Sequence, residues 1–336
     1  MNEKIIMLGT GSAMVTDCYN TCFLLKSEND CLLVDAGGGN GILSAIKKSG
    51  VAWNSIKTMF ITHSHTDHIL GAVWVIRQIS ALMNSGKYDG NFNIYCHDEC
   101  VDSITAICNH TLAPKFLKNI NTKIFINEVK DGEKQNAGSI RLTFFDIFSD
   151  KTKQFGFKAV FPSGKVLACL GDEPFNEKCR NFVQNCDYLM CEAFCLYSQK
   201  DIFKPYEKFH STALDAGKLA ESLFAKNLIL YHTEDETLQT RKRTYTSEAR
   251  TVFNGNIFVP DDFEVPFGKA RIRRSGSDLT IITYGNTTHL CLKVAERLAN
   301  DKVANCEVID LRSLIPLDKE TIFESVKKTS KVLIVH

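Results

Sequence analysis

The chain carries, at 62–71, the stretch Thr62-His63-Ser64-His65-Thr66-Asp67-His68-Ile69-Leu70-Gly71, which places four potential metal ligands within six residues. Before it, 56–61 alternates apolar and polar residues, as a half-buried strand does. After it, 69–83 repeats apolar residues at intervals of three and four, as a helix does. Histidines two positions apart in extended backbone project to one side, and an aspartate suits the exposed N–H groups at a helix start. The stretch therefore predicts a metal site at a strand-to-helix junction, and imidazole with carboxylate favours zinc, manganese or iron.

Length and composition indicate an ordinary globular chain. At 336 residues it is long enough for two domains. Lys plus Arg number 40 against 39 for Asp plus Glu, so no overall field attracts nucleic acid or an anionic membrane. The sequence has no apolar run long enough to span a bilayer and no secretory signal at its start, so we expect no membrane association.

Thirteen cysteines in a chain without a secretory signal indicate reduced, mostly buried thiols and a cytoplasmic location. Three CxxxC pairs occur, but none has the CxxC spacing of zinc knuckles or thioredoxin-like sites. We therefore expect these cysteines to pack in the core.

Strand-like and helical segments alternate along the rest of the chain. Strands are predicted at 4–8, 20–26, 30–34, 92–96, 123–126, 140–145, 155–161, 166–170 and 228–231, and helices at 41–48, 98–108, 177–185 and 212–226. Further ligand candidates follow two of these strands, at Asp172 and His232, and precede a helix, at His210. Two batches of strands with ligands at strand ends predict an α/β sandwich whose loops converge at one edge.

Asp35 ends another predicted strand and is followed by Ala36 and three glycines. This pattern is typical of a turn. It is equally typical of a carboxylate that orients a metal-binding histidine through a hydrogen bond. Both interpretations stay open at this point.

With these residues in place, 3–262 resembles the metallo-β-lactamase superfold, and within it the RNase Z-like branch. The resemblance depends on the HxHxDH run and on the motifs Leu8-Gly9-Thr10-Gly11, Asp35-Ala36-Gly37, Gly171-Asp172, Cys191-Glu192-Ala193, His210-Ser211-Thr212 and Tyr231-His232. It implies an αββα sandwich over 1–262 and two divalent metal ions. By position, the first ion would be held by His63, His65 and Asp172, and the second by Asp67, His68, Asp172 and His232, so that Asp172 bridges.

The resemblance also implies roles in catalysis. His210 would protonate the leaving oxygen, with Glu192 orienting it, and Asp67 belongs to the catalytic centre. The alternative for His210 is that it only neighbours the capping residues of the next helix. The implied activity is hydrolysis of a phosphodiester, with RNA and nucleotides as substrate classes and a homodimer as a possible assembly.

Two features depart from the RNase Z-like pattern. Phe148 stands where these enzymes carry a third histidine for the first metal, so that site is either weak or uses a substitute ligand, from Asp150, Asp146, His97 and His110. The short gap between Phe148 and Asp172 leaves no room for the long arm that grips tRNA in tRNA-processing relatives. A thioester hydrolase like glyoxalase II, which shares the HxHxDH run and a bridging aspartate, remains an alternative. So does a catalytically impaired binding or scaffold module, which Phe148 suggests.

The segment 265–336 has a second resemblance, to the C-terminal transketolase-type domain of the beta subunit of 2-oxo-acid dehydrogenases. It depends on the motifs at 265–270, 278–285, 307–314, 316–318 and 325–329. The pattern predicts strands at 279–284, 306–311 and 331–335 and helices at 288–300 and 318–328, which is a small, truncated, parallel doubly wound α/β piece. No dehydrogenase activity is expected, because the thiamine-diphosphate-binding part is not in the sequence.

Overall fold

The computed structural model describes residues 3–28, 30–264, 270–285, 287–312 and 317–336. The chain divides into two compact units, one of Ile6–Glu264 and one of Met1–Ile5 with Val265–His336. The domain bounds 1–262 and 265–336 stay a prediction. Within the described ranges, no helix is both long and apolar enough to cross a membrane. All thirteen cysteines lie in these ranges, and each is a free thiol.

The first sheet has six strands in the order β1-β2-β3-β4-β5-β6. β2 and β3 form an antiparallel hairpin, whereas β3 to β6 run parallel. The strand bounds are β1 Lys4–Gly9, β2 Cys22–Ser27, β3 Asp30–Val34, β4 Ile56–Phe60, β5 Phe92–Cys96 and β6 Ile124–Glu128. The helices of this half are α1 Gly41–Ser49, α2 Thr66–Asn84, α3 Asp98–Thr111 and α4 Pro114–Leu117.

The second sheet has seven strands in the order β13-β12-β11-β10-β9-β8-β7. β7 to β10 are antiparallel, and β10 to β13 are parallel. The bounds are β7 Lys134–Ala137, β8 Ile140–Asp146, β9 Phe155–Val160, β10 Val166–Cys169, β11 Tyr188–Glu192, β12 Asn227–Tyr231 and β13 Asn256–Phe258. Its helices are α5 Arg180–Val183, α6 Lys200–Phe203, α7 Ala213–Ser222 and α8 Leu238–Arg250.

Aromatic side chains join the two sheets face to face. The rings of Phe60 and Phe144 stack with centroids 4.8 Å apart, and Phe23 lies 6.4 Å from Phe157. All four side chains are buried. Burial of each such side chain stabilises the folded state by about 1.5–3 kcal/mol. On its other face the second sheet packs against helices through an apolar cluster that includes Tyr245. The predicted αββα sandwich is confirmed.

The carboxyl ends of several strands lead directly to the predicted site residues. Asp35 follows β3, His63 follows β4 after two residues, and His232 follows β12. Neighbouring parallel strands end at the same edge of a sheet, which is where α/β folds hold their ligands. The topology therefore brings residues from distant parts of the sequence to one edge of the sandwich.

Some elements differ from the sequence prediction. α2 begins at Thr66, three residues earlier than expected, and 177–185 forms a short 3-10 turn and α5 rather than one helix. β7, β11 and α8 were not predicted. Only three side chains of α8 are buried, Arg241, Tyr245 and Ala249, so its apolar periodicity is weak. Residue 29, between the predicted strands 20–26 and 30–34, lies outside the described residues.

The smaller unit contains a four-stranded sheet in the order β14-β16-β15-β17. Its elements are β14 Arg271–Arg274, β15 Leu279–Thr283, α9 Thr287–Asn300, β16 Cys306–Asp310, α10 Lys319–Thr329 and β17 Val332–Val335. The three predicted strands are parallel, which confirms the doubly wound pattern, and β14 adds an antiparallel strand that was not predicted. The motif positions 265–269 and 313–316 lie outside the described residues.

Candidate metal centre

The start of α2 is held against the loop that follows β3. A Cβ atom on Gly71 would lie 1.9 Å from the carbonyl oxygen of Ala36, so only glycine permits this approach. The amide N–H of Gly71 donates to the carbonyl of Gly37 at 2.9 Å. The first turn of α2, with Asp67 and His68, is thereby fixed beside Asp35.

Asp35 orients His68. Its φ is 53°, a value uncommon for a residue with a side chain. Oδ2 accepts a hydrogen bond from Nδ1–H of His68 at 2.8 Å, and Oδ1 accepts one from the amide N–H of Thr62 at 2.8 Å. Of the two interpretations of Asp35, the structure supports the orienting carboxylate. Because Nδ1 is occupied, Nε2 of His68 is the nitrogen left for a ligand.

Asp67, His68 and His232 form one group of possible metal ligands, all three buried. The Asp67 Oδ2 atom lies 3.4 Å from Nε2 of His68 and 3.4 Å from Nε2 of His232. His232 has φ 57° where the chain leaves β12. We call this set the second group.

His63, His65 and Asp172 form another group, which we call the first group. His63 is fully buried, whereas His65 is half-buried. Nε2 of His63 lies 2.9 Å from Nδ1 of His65 and 3.6 Å from Oδ2 of Asp172. The first group is therefore the more accessible of the two.

Asp172 connects the two groups. Its Oδ2 atom lies 3.6 Å from Nε2 of His63, 3.5 Å from Nε2 of His68 and 3.4 Å from Nε2 of His232. Burial alone would raise the pKa of this carboxyl, but the histidines, His63 foremost, hold it well below its usual range. A single ionised oxygen thus faces three imidazoles.

The donor set fits divalent cations. Within the described residues, Nε2 of His68 and Nδ1 of His232 are buried without a hydrogen-bond partner, which is unusual for imidazole nitrogens. Burial lowers the pKa values of His63 and His65, so their neutral forms, which bind metals, are favoured. Imidazoles and carboxylates in two groups with one shared oxygen are chemically suited to a pair of zinc, manganese or iron ions.

His210 lies beside the second group, in a third set of close ligand-type atoms with Glu192 and His232. Its Nδ1–H donates to the main-chain carbonyl of Asp172 at 2.8 Å, and Oε2 of Glu192 lies 3.4 Å from the same nitrogen. The ring stacks on Phe194 with centroids 5.0 Å apart. Burial lowers its pKa, but Glu192 outweighs this effect and the net pKa is raised.

Capping of α7 does not involve the His210 side chain. Thr212 is the N-cap residue, and its side chain accepts a hydrogen bond from the amide of Asp215 in a capping box. Ser211 instead donates its amide N–H to Oε1 of Glu192 at 2.5 Å. The capping box thus forms beside His210 without using its ring, and both interpretations of His210 stay predictions.

Phe148 carries no atom that could bind a metal ion. It is 37% exposed, its φ is 57°, and the Nζ atom of Lys178 lies 4.4 Å from its ring centroid. Among the described residues, the four proposed substitute ligands are outside the groups. His97 contacts Cys100 at 3.2 Å, Asp146 accepts from the amide of Phe148, and Asp150 and His110 are exposed.

Sequence reasoning missed Gln154, which is fully buried at the first group. Its Nε2 lies 2.8 Å from Nδ1 of His63 and donates to Oδ1 of Asp172. A single glutamine outside any motif has no sequence pattern that predicts a place in a metal site. Its place immediately before β9, at the ligand-bearing edge, is the only clue that the sequence offers.

A cavity of about 550 Å³ opens onto both groups. Its walls include His65, His210 and His232, with Lys151 and Lys208 also lining it. The two lysines place positive charge on the cavity wall, beside the carboxylates of Asp67 and Asp172, and they would suit an anionic ligand.

Known families now define what the chain is related to. The family model described as anti-Pycsar protein Apyc1 matches residues 3–257, which is more than half of the 336 residues. The chain belongs to the anti-Pycsar protein Apyc1 family. A second family model, the C-terminal domain of transketolase, matches residues 268–336 of this Apyc1-family chain.

Individual relatives agree with this division. Ribonuclease Z of Nitrosopumilus maritimus is 26% identical over 306 residues, covering 78% of this chain and 99% of that protein. The 2-oxoisovalerate dehydrogenase subunit beta of Bacillus subtilis is 51% identical over 75 residues, covering 22% of this chain and 23% of that protein. The chain thus spans about a quarter of the length of the dehydrogenase beta subunits that it matches.

Solved structures show the fold of the larger unit. The metallo-β-lactamase fold protein YhfI from Bacillus subtilis matches with a TM-score of 0.64 and 20% identity, covering 78% of this chain and 98% of that one. Human tRNase Z, short form, matches with a TM-score of 0.61 and 21% identity over the same shares. Together with the ribonuclease Z homology, these matches show that the Apyc1-family chain has the metallo-β-lactamase fold and is RNase Z-like in its first part, where buried His/Asp groups are suited to metal binding.

Proposed function

We propose that the chain hydrolyses phosphodiester bonds, using two divalent ions held by His63, His65, Asp67, His68, Asp172 and His232. The observation that carries this proposal is the position of Asp172, whose Oδ2 faces imidazoles from three separate parts of the sequence. In this proposal 1–262 is the hydrolase domain and 265–336 is a transketolase C-terminal-like domain. The cytoplasmic location and the homodimer stay predictions.

The bound ions would supply Lewis-acid activation of water and of the phosphate group. The chain's own contribution is to fix the ligands before an ion arrives. Asp35 holds the Nδ1–H of His68, so Nε2 is the nitrogen that faces Asp67 and Asp172 and would bind an ion there. Burial of these side chains excludes bulk water, which strengthens every electrostatic interaction in the site.

His210 would act as the general acid. Its Nδ1–H is committed to the carbonyl of Asp172, so Nε2 is the atom that can donate a proton to a leaving oxygen in the cavity. Glu192, 3.4 Å from Nδ1, would stabilise the protonated ring. A thiol has a pKa of about 8.5, so a thiolate leaves a thioester with little help from a general acid. An alkoxide does need protonation as it leaves, so the position of His210 favours a phosphodiester over a thioester substrate.

We further propose a substrate of nucleotide size. The cavity of about 550 Å³ is in the range of small-molecule sites, and Lys151 and Lys208 would meet a phosphate. Between Phe148 and Asp172 the chain forms only a loop and the β9–β10 hairpin, so this segment has no projecting arm that could grip a folded RNA. RNA is therefore the alternative substrate, and the experiment includes it.

The test compares three substrates on metal-loaded protein whose zinc, manganese and iron are counted by elemental analysis. We expect turnover of bis(p-nitrophenyl) phosphate and of a dinucleotide, less turnover of a precursor tRNA, and none of a glutathione thioester. Asp187→Ala is the matched control, since Asp187 is a buried aspartate outside the metal groups. Metal with thioester but no phosphodiester turnover would favour the glyoxalase-like alternative. A protein with neither metal nor turnover would be a binding or scaffold module.

A further inference from the structure

Gln154 makes two hydrogen bonds to one residue, Asp172. Its Nε2–H donates to Oδ1 of the carboxylate, and its Oε1 accepts from the main-chain N–H of the same residue at 3.3 Å. The glutamine has no exposed surface. A Cβ atom on Gly171, whose φ is 75°, would lie 2.6 Å from Oε1 of Gln154, so the backbone beside Asp172 is shaped around this amide.

These bonds divide the two oxygens of Asp172 between two tasks. Oδ1 is occupied by the amide, while Oδ2 is the oxygen that faces His63, His68 and His232. Without the amide donor, the carboxylate could rotate about its Cβ–Cγ bond and present either oxygen, or both, to one group. The amide thus defines which oxygen the two groups share.

Gln154 also touches the first group alone. Its Nε2 lies 2.8 Å from Nδ1 of His63, which has Thr62 Oγ1 as a second neighbour at 3.0 Å. Thr62 donates its hydroxyl proton to Asp35, so its oxygen is the acceptor for Nδ1–H of His63. The amide nitrogen of Gln154 is therefore a packing contact of this ring and not its hydrogen-bond partner. The second group keeps Asp67, His68 and His232, none of which Gln154 contacts through a hydrogen bond in the described residues.

We propose that Gln154 is a positioning residue of the metal centre, which clamps Asp172 so that Oδ2 alone is shared, and on which the first group depends more than the second. This inference rests on the proposed two-metal site. Residue 154 must supply an N–H donor here, because it faces the carboxylate of Asp172. A second oxygen at this position would repel that carboxylate.

The test measures metal affinity rather than turnover. Metal-free protein, its Gln154→Met variant and its Gln154→Glu variant are titrated with zinc by calorimetry and with cobalt by visible absorption, which reports ligand geometry. Methionine keeps the length and removes both polar atoms, whereas glutamate keeps an acceptor and removes the donor. The control is Gln135→Glu, because the Gln135 amide also donates to a carboxylate, Glu133, at 3.0 Å outside the site.

We expect the weaker ion to lose about 10- to 100-fold in affinity in both Gln154 variants, the cost typical of a residue that supports ligands. The tighter ion should change by less, which also shows that the variants are folded, and the Gln135→Glu protein should match the unmodified one. Equal or tighter binding of the weaker ion by Gln154→Glu would overturn the proposal, since an oxygen would then serve at this position. Unchanged binding by Gln154→Met would overturn it too. Unmodified protein that binds no ion would instead contradict the proposed function itself.

Discussion

The two ligand groups share a carboxylate but differ in how they are enclosed. The second group is buried, and Asp35 fixes its His68 through a hydrogen bond of 2.8 Å. The first group includes the half-buried His65 and relies on a neutral amide at Asp172. Phe148, where RNase Z-like relatives are expected to carry a third imidazole, offers no ligand to the first group. The strand-to-helix motif therefore contributes ligands to two groups that differ in burial and support. We expect the first group to bind its metal ion more weakly than the second.

The largest effect is expected from removal of the shared ligand. Asp172→Ala should lower turnover of bis(p-nitrophenyl) phosphate by on the order of 10⁴-fold or more, because ligands that act as one unit fail together. Elemental analysis should show loss of metal from both groups, while the circular dichroism spectrum is kept. Asp187→Ala should retain metal and activity. Near-normal activity of Asp172→Ala would show that the groups do not depend on a common carboxylate.

Removing one histidine from each group compares how much metal affinity each group contributes. His68→Ala should cost more than the roughly 100-fold in metal affinity that a supporting residue typically costs, because it removes a buried ligand and one of the donors to Asp35. His65→Ala should cost less, since His65 is half-buried. Calorimetric zinc titration of both variants measures the difference. A larger loss in His65→Ala would reverse the ranking of the groups.

His210→Ala tests the acid beside the groups without touching a proposed ligand. Substrates with poor leaving groups should slow by about 100-fold, whereas p-nitrophenyl esters, whose leaving oxygen needs little protonation, should slow much less. Metal content should not change. His97→Ala is the control, since His97 is a buried histidine that contacts Cys100 outside the groups. An equal loss on both substrate types would indicate a structural role for His210.

The smallest effect is expected at Asp35. Asp35→Asn keeps a side chain of the same shape and an acceptor for the Thr62 amide, but it replaces the oxygen that accepts from His68 with an NH2 donor, so the charge-assisted bond is lost. The affinity of the second group should fall by about tenfold, the lower end for such supporting residues. Zinc titration against Asp187→Asn provides the measurement. A selective loss in the first group would contradict the assignment of Asp35 to His68.

The features that the sequence predicted correctly are those encoded by a local residue pattern. The HxHxDH run lies between a period-two strand and a helical repeat, so β4, α2 and four ligand candidates followed from it. The strand-end positions of Asp172 and His232 were also readable, because apolar strands precede them.

What the sequence could not predict depends on contacts between distant residues. Gln154 meets His63 across 91 positions and belongs to no motif. The role of Asp35 stayed open because turn chemistry and histidine orientation need the same residue type at a strand end. α8 and β14 carry too few apolar side chains to show a period, so both were missed.

The most direct test of the central claim is a metal titration of the unmodified protein after its ions have been removed with a chelator. Zinc or manganese is added while calorimetry measures binding. Turnover is measured as hydrolysis of bis(p-nitrophenyl) phosphate. The two groups predict two ions per chain with affinities that differ by about tenfold or more, which is about 1.4 kcal/mol, and turnover that rises as the weaker ion binds. Two ions of equal affinity, one ion, or none would contradict the account.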